Sequence, residues 1–101
     1  MWLFVMFDLP VDTKLARKQY TQFRKFLLKD GFMQVQYSVY ARVCPTQEKA
    51  DVHVGRVEAR VPPDGEVRLI CITDQQFARQ RICMGKRRKQ PQKAPEQLEF
   101  F

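Results

Sequence analysis

The order of apolar patterns along this chain predicts an α+β fold. Three observations support it: an opening apolar run of strand length, two segments whose apolar residues recur with helical spacing, and an alternating stretch between them. With 101 residues, 45% hydrophobic and 29% charged, the chain can build one domain with a small core. A domain of that size leaves much apolar surface uncovered, so we expect it to oligomerise.

The opening run, residues 2–7, is continuously apolar, as expected for a central strand that is covered on both faces. A helix should follow, with Asp12 or Thr13 as its N-cap and Gly31 just beyond its end. The apolar residues of this helix recur at positions i, i+4, i+7 and i+11, which places them in one stripe along its surface. Its members are Ala16, Tyr20, Phe23 and Leu27. Lysines and arginines occupy the other faces of this helix.

Residues 32–44 alternate between apolar and polar side chains, which predicts either one long strand or two strands with a tight reversal near Gln36. Thr46 can cap a second helix, which the Pro-Pro-Asp-Gly run at 62–65 should end. The stripe of that helix is Ala50, Val54, Val57 and Val61. Residues 67–73 read as a further strand, and residues 82–84 as a short edge strand.

If the 32–44 segment is split, the order becomes β-α-β-β-α-β with a short extra C-terminal strand, which is the ferredoxin-like arrangement. An antiparallel sheet would then carry two helices on one face. The other face would present apolar residues to water, and face-to-face dimerisation is the simplest way to cover them. The domain should span residues 1–84, followed by a basic C-terminal tail at 85–101 that could dock on a partner.

Composition also limits the function classes. The opening apolar run ends at Asp8 and no basic cluster precedes it, so we expect neither a signal peptide nor a membrane span, and a cytoplasmic protein. Cys44, Cys71 and Cys83 form no Cys-x-x-Cys pair, and His53 is the only histidine. This pattern disfavours a zinc site or a disulfide framework and predicts reduced thiols buried on strands.

The net charge of +7 is concentrated near the C-terminus, because residues 79–93 contain seven basic and no acidic residues. Such a segment predicts contact with a polyanion, since neutralised phosphates release counterions. A solvated, solubilising tail is the alternative.

Asp8 is the strongest chemical candidate, because it follows a buried strand directly and precedes a proline. An aspartate in such a loop more often bonds local backbone N–H groups. A single carboxylate can hold a hard cation only when solvent, substrate or a second subunit supplies further ligands.

Residues 30–37 offer a second interpretation. They resemble the octapeptide of RNA-recognition motifs, in which strand aromatics stack on bases. Asp30, Met33 and Gln34 depart from that pattern, and the segment follows the first helix rather than forming a third strand. An RNA-binding module of that type is therefore the weaker alternative.

Three features together resemble a known family: Phe-Asp-Leu-Pro at 7–10, the basic first helix, and Gly-Phe-Met-Gln-Val-Gln-Tyr-Ser-Val-Tyr at 31–40. They are similar to the small CRISPR-associated endonucleases of spacer acquisition, the non-integrase partners of the CRISPR integrase. The likeness extends over residues 1 to about 84 and is greatest for members of single-effector systems.

The resemblance implies a ferredoxin-like homodimer, and thus a split of residues 32–44. It also implies that Asp8 is the catalytic and metal-binding residue, with two copies meeting near a two-fold axis to hold Mg²⁺. The implied activity is metal-dependent cleavage of RNA or DNA.

The resemblance further implies a structural task, in which the dimer bridges two integrase dimers and binds the backbone of foreign DNA. From charge and position we select five residues for DNA contact: Lys14, Arg17, Lys18, Arg79 and Arg81. A scaffold that binds nucleic acid without catalysis is the alternative to a nuclease. Backbone contacts alone do not distinguish RNA from DNA.

Overall fold

A computed structural model describes residues 1–87 of the chain. Seven elements follow one another in this range, four strands and three helices. They are β1 (Trp2–Asp8), α1 (Lys14–Lys29), β2 (Met33–Gln36), β3 (Val39–Val43), α2 (Gln47–Glu58), β4 (Glu66–Ile72) and α3 (Asp74–Ala78). The predicted α+β class is therefore confirmed, and the alternating segment is two strands joined by a tight turn.

The four strands form one antiparallel sheet in the order β2-β3-β1-β4. The first strand is central, since it pairs with β3 on one side and with β4 on the other. Two helical crossovers and this order give the ferredoxin-like topology that the sequence predicts.

Both long helices begin at the predicted threonines. The hydroxyl of Thr13 accepts a hydrogen bond from the Ala16 N–H (3.0 Å), and that of Thr46 accepts one from the Lys49 N–H (3.1 Å). At the end of α1, the Phe32 N–H donates to the Leu27 carbonyl and Gly31 has a φ of 93°. This is a Schellman motif, which requires the left-handed conformation that glycine adopts at little cost.

The core lies between the sheet and the two long helices. Alternate residues of β1, namely Leu3, Val5 and Phe7, are buried on this face. They form one apolar cluster with Phe23 and Leu27 of α1 and with Ala50 and Val57 of α2. The apolar stripe predicted for the second helix included Val61, which is wrong. The helix α2 ends at Glu58, and Val61 is exposed beyond it.

The opposite sheet face is covered only in part. Phe77 of α3 stacks on Trp2, with ring centroids 3.9 Å apart and planes 9° from parallel, whereas Ile70 remains half exposed. The predicted short strand at 82–84 is wrong. After β4 the chain enters α3, which begins at a capping box of Thr73 and Gln76 and packs Phe77 on the sheet face, so residues 82–84 do not pair along the sheet edge. Residues 82–84 are exposed and irregular.

The cysteines agree only partly with the expectation of thiols buried on strands. Cys44 is buried, Cys71 is half-buried in β4, and Cys83 is exposed outside any strand. The last fourteen residues, which include most of the predicted basic tail, lie outside the described range. Within the described range, no helix combines the length and apolar character that crossing a membrane demands.

Replacing Gly31 with alanine should lower the free energy of unfolding by about 1–2 kcal/mol, since a side chain is strained at this φ. A Cβ there would also lie 2.7 Å from the Arg42 guanidinium. Gly55→Ala is the matched control, because a Cβ in α2 meets nothing within 4 Å and should stabilise the helix by roughly 0.5–1 kcal/mol. Urea unfolding curves measure both changes. Equal effects of the two substitutions would contradict the role of Gly31.

Candidate functional site

Asp8 is the last residue of the central strand, and its side chain is exposed. Because side chains alternate along a strand, Asp8 lies on the same face as Trp2, Phe4 and Met6, which is the face that the long helices leave uncovered. Within residues 1–87, its carboxylate makes no hydrogen bond or ion pair. The carboxylate is therefore free to meet a cation or a second copy of the chain.

A second carboxylate, from Glu66 at the start of β4, lies opposite Asp8. The two residues are direct partners in the β1–β4 register, so their side chains share the open face. Arg68 pairs with Glu66, its Nη2 and Nε atoms lying 2.8 and 3.1 Å from one carboxylate oxygen. The sequence analysis did not identify Glu66 as a site residue. The only local signal was the glycine turn before it, which indicates that a strand begins nearby.

These donors suit a hard cation. Mg²⁺ prefers oxygen ligands and is usually held by one or two carboxylates, while water and substrate phosphates complete its shell. Asp8 offers such a carboxylate, and the Glu66 carboxylate is neighbouring but shared with Arg68. No cluster of three or more metal-binding side chains exists in the part of the chain that the structure describes. One protomer thus offers at most two neighbouring carboxylates to a cation at this strand end.

Aromatic side chains support the strand beneath Asp8. The ring of Phe7 stacks on buried Tyr40 with centroids 5.7 Å apart, and packs edge-on against Phe23 at 5.2 Å and Tyr20 at 6.0 Å. Burial raises the pKa of the Tyr40 phenol, an effect that nearby Arg24 partly opposes. The pKa of Tyr20 is raised first by burial and then by the neighbouring phenol of Tyr37.

Burial also raises the pKa of the Cys44 thiol, with Arg42 acting in the opposite direction. A thiol with a raised pKa is mostly protonated at neutral pH and is a poor nucleophile. Cys44 therefore acts as part of the core rather than as a reactive group.

The first helix carries a continuous basic surface. Lys14, Arg17, Lys18 and Lys25 are exposed along one shallow groove, and α1 contains no acidic residue. Arg17 is also held locally, since its Nη1 donates to the carbonyl of Val11 at 3.1 Å. The structure thus brings together three of the five predicted DNA contacts, Lys14, Arg17 and Lys18.

The other two predicted contacts lie elsewhere. Arg79 and Arg81 are exposed after α3, which packs on the open sheet face near the start of β1. The groove of α1 begins on the opposite face, near the end of β1. Within residues 1–87, one protomer therefore presents two separate basic surfaces.

His53 belongs to a different cluster. Its Nδ1 lies 2.8 Å from the carboxylate of Asp30, and Nη2 of Arg56 lies 2.7 Å from the other oxygen of that carboxylate. The Asp30 side chain is 4% exposed, so this cluster joins the end of α1 to α2. It lies at the far end of α1 from Lys14 and does not contact Asp8.

A four-stranded antiparallel sheet of ferredoxin-like topology, with an exposed acid at the end of its central strand and a basic helix on its covered face, defines a small α+β protein of the ferredoxin-like class. The family model described as CRISPR associated protein Cas2 matches residues 1–80. The chain belongs to this family.

Relatives support the assignment along the whole chain. The CRISPR-associated endoribonuclease Cas2 of Parvibaculum lavamentivorans is 54% identical over 101 residues, covering 100% of both chains. The protein of that name from Flavobacterium psychrophilum is 41% identical, over 100% of this chain and 88% of its own length. The crystal structure of Streptococcus pyogenes Cas2 at pH 6.5 has a TM-score of 0.63 at 20% identity, covering 83% of this chain and 100% of that one. At this identity the structural likeness shows the fold alone.

Tyr40→Phe should make the protein more tolerant of alkaline pH. The folded protein keeps the Tyr40 proton longer than the unfolded chain, so stability falls as pH rises above about 10, where unfolded tyrosine ionises. Near neutral pH the substitution should change the free energy of unfolding by less than about 1 kcal/mol, because the buried hydroxyl has no hydrogen-bond partner within residues 1–87. Urea unfolding at several pH values tests this. Parallel curves for both proteins above pH 10 would contradict it.

Proposed function

We propose that this chain is a CRISPR adaptation protein that works as a homodimer in the cytoplasm, bridging integrase dimers and binding foreign DNA for spacer insertion. We further propose that it is a Mg²⁺-dependent endonuclease, with Asp8 as its catalytic and metal-binding residue. The observation that supports the nuclease proposal is the position of Asp8, which ends the central strand on the uncovered face of a Cas2-family sheet.

The nuclease proposal also draws on the relatives. The proteins from Parvibaculum lavamentivorans and Flavobacterium psychrophilum bear the name endoribonuclease, which favours RNA as a substrate beside DNA. Asp8 is exposed and without a pairing cation among the described residues, so its oxygens can take part in metal binding. The cations of α1 begin six residues later and can hold a phosphate backbone close to this end of the sheet.

A second copy explains how one carboxylate per chain could suffice. Dimerisation through the open sheet faces would cover Phe4, Met6 and Ile70 and would carry Asp8 toward its copy. Two carboxylates alone would repel each other, and one would take up a proton. Mg²⁺ bound between them would allow both to stay ionised and would polarise a phosphate or activate a water molecule.

The structural task has its own support, the acid-free surface of α1. Contacts from Lys14, Arg17 and Lys18 to phosphates would release counterions and give affinity without sequence preference. This fits the binding of DNA fragments of arbitrary sequence. DNA binding by α1 requires no catalysis, so the scaffold role does not depend on whether Asp8 supports cleavage.

Asp8→Asn should reduce Mg²⁺-dependent cleavage to the background rate that EDTA leaves, because the amide removes the negative charge that binds the cation. Labelled RNA and duplex DNA, each incubated with Mg²⁺ or EDTA, provide the measurement. Glu58→Gln is the matched control, since it removes an exposed carboxylate at the end of α2. Cleavage by Asp8→Asn at the wild-type rate would rule out the assigned role of Asp8. Intact DNA binding by the same variant would leave the scaffold role in place.

Lys14→Glu and Lys18→Glu, tested singly, should weaken the binding of duplex DNA. Each lost phosphate contact should lower the slope of log affinity against log salt by roughly 0.9. Lys49→Glu provides the control, because it makes the same charge change in the first turn of α2. Fluorescence anisotropy at several salt concentrations measures the slopes. Identical slopes for Lys14→Glu and Lys49→Glu would remove Lys14 from the interface.

A further inference from the structure

Tyr37 is a large aromatic side chain that the fold presents to solvent. It lies in the turn between β2 and β3, and 75% of its surface is exposed. The turn is firmly held, since the Gln34 side-chain amide donates to the Tyr37 carbonyl at 3.2 Å and the Phe7 N–H donates to the Ser38 carbonyl at 3.1 Å. An exposed aromatic ring on a fixed turn contributes little to the core and is available for binding.

The ring of Tyr37 packs against a second aromatic ring, that of Tyr20. Its centroid lies 6.3 Å from that of Tyr20, with the ring planes 30° apart, and Tyr20 in turn packs on Phe7. Phe7 immediately precedes Asp8 in the central strand. A chain of aromatic contacts therefore fixes the Tyr37 ring relative to the strand end that carries the candidate catalytic residue.

Two arginines of α1 lie on the same side of the molecule as the Tyr37 and Tyr20 rings. Arg17 and Arg24 are one helical turn before and after Tyr20 on α1, so both lie along the edge of the helix that faces Tyr37. An exposed aromatic ring next to a helix edge that carries arginines suits a nucleotide, whose base stacks on the ring while its phosphate meets the cations.

We propose that Tyr37 is a base-stacking residue, whose ring contacts an unpaired base of a nucleic acid bound to the α1 surface. This inference rests on the proposed nucleic-acid binding and assigns to it a residue that contacts a base. Phosphate contacts do not sense whether a base is present, whereas stacking requires a base that is free of its partner.

The test compares Tyr37→Leu with Tyr37→Phe, since phenylalanine keeps the aromatic face and leucine does not. The probes are fluorescein-labelled oligo(dA), the same strand with abasic sites, and a blunt duplex of equal length. Tyr37→Leu should weaken oligo(dA) binding by roughly 5- to 150-fold, the range for loss of one stacked base. It should leave the abasic and duplex affinities and the salt slope unchanged. Tyr37→Phe should bind oligo(dA) within about twofold of wild type, as sequence-tolerant stacking expects.

Three results for Tyr37→Leu would overturn the inference. They are unchanged binding of oligo(dA), equal weakening of binding to the strand with abasic sites, and conversion of a wild-type dimer to a monomer in sedimentation. The last result would make Tyr37 a protein contact instead. If Lys14→Glu still weakens binding, only the stacking assignment fails. If wild-type protein binds none of the three probes, the proposed nucleic-acid binding fails with it.

Discussion

The structure depends on the different surroundings of the two faces of β1. This strand is hydrogen-bonded on both sides, so its position is fixed by β3 and β4. Its odd-numbered residues Leu3, Val5 and Phe7 are buried under the long helices, which determines the side that the even-numbered residues face. A slip of one residue would bury Asp8 and expose the core residues, at a cost of several kcal/mol. Burial of the core thus places the acid on the uncovered face.

The connections place the basic helix near the same end of the sheet. Leu9 is buried against Gly65, where a side chain would clash with its Cδ2 atom, so the loops after β1 and before β4 pack closely. Thr13 then begins α1 after a short connection, and the first lysines follow at once. Helix capping, turn packing and strand pairing therefore act together to bring an acid and a set of cations to one region of a small protein.

Local signals explain what the sequence could predict. Threonine caps, apolar stripes and the 62–65 turn act within a few residues, so the positions of both long helices and the strands could be found. The short strand expected at 82–84 is absent because the chain enters α3 directly after β4, at the Thr73 capping box, and leaves the plane of the sheet before these apolar residues. The pairing of Glu66 with Asp8 depends on strand register, and the contact between Asp30 and His53 on helix packing, so neither follows from local pattern.

In the proposed site, two copies of Asp8 share one metal ion across a dimer, and the number of ions bound per chain tests this arrangement most directly. Mn²⁺ takes the same oxygen ligands as Mg²⁺ and can be counted by electron paramagnetic resonance during titration of the full chain. A shared ion predicts saturation at one ion for every two chains, and loss of that binding in Asp8→Asn. Saturation at one ion per chain, or the same binding in Asp8→Asn, would contradict it.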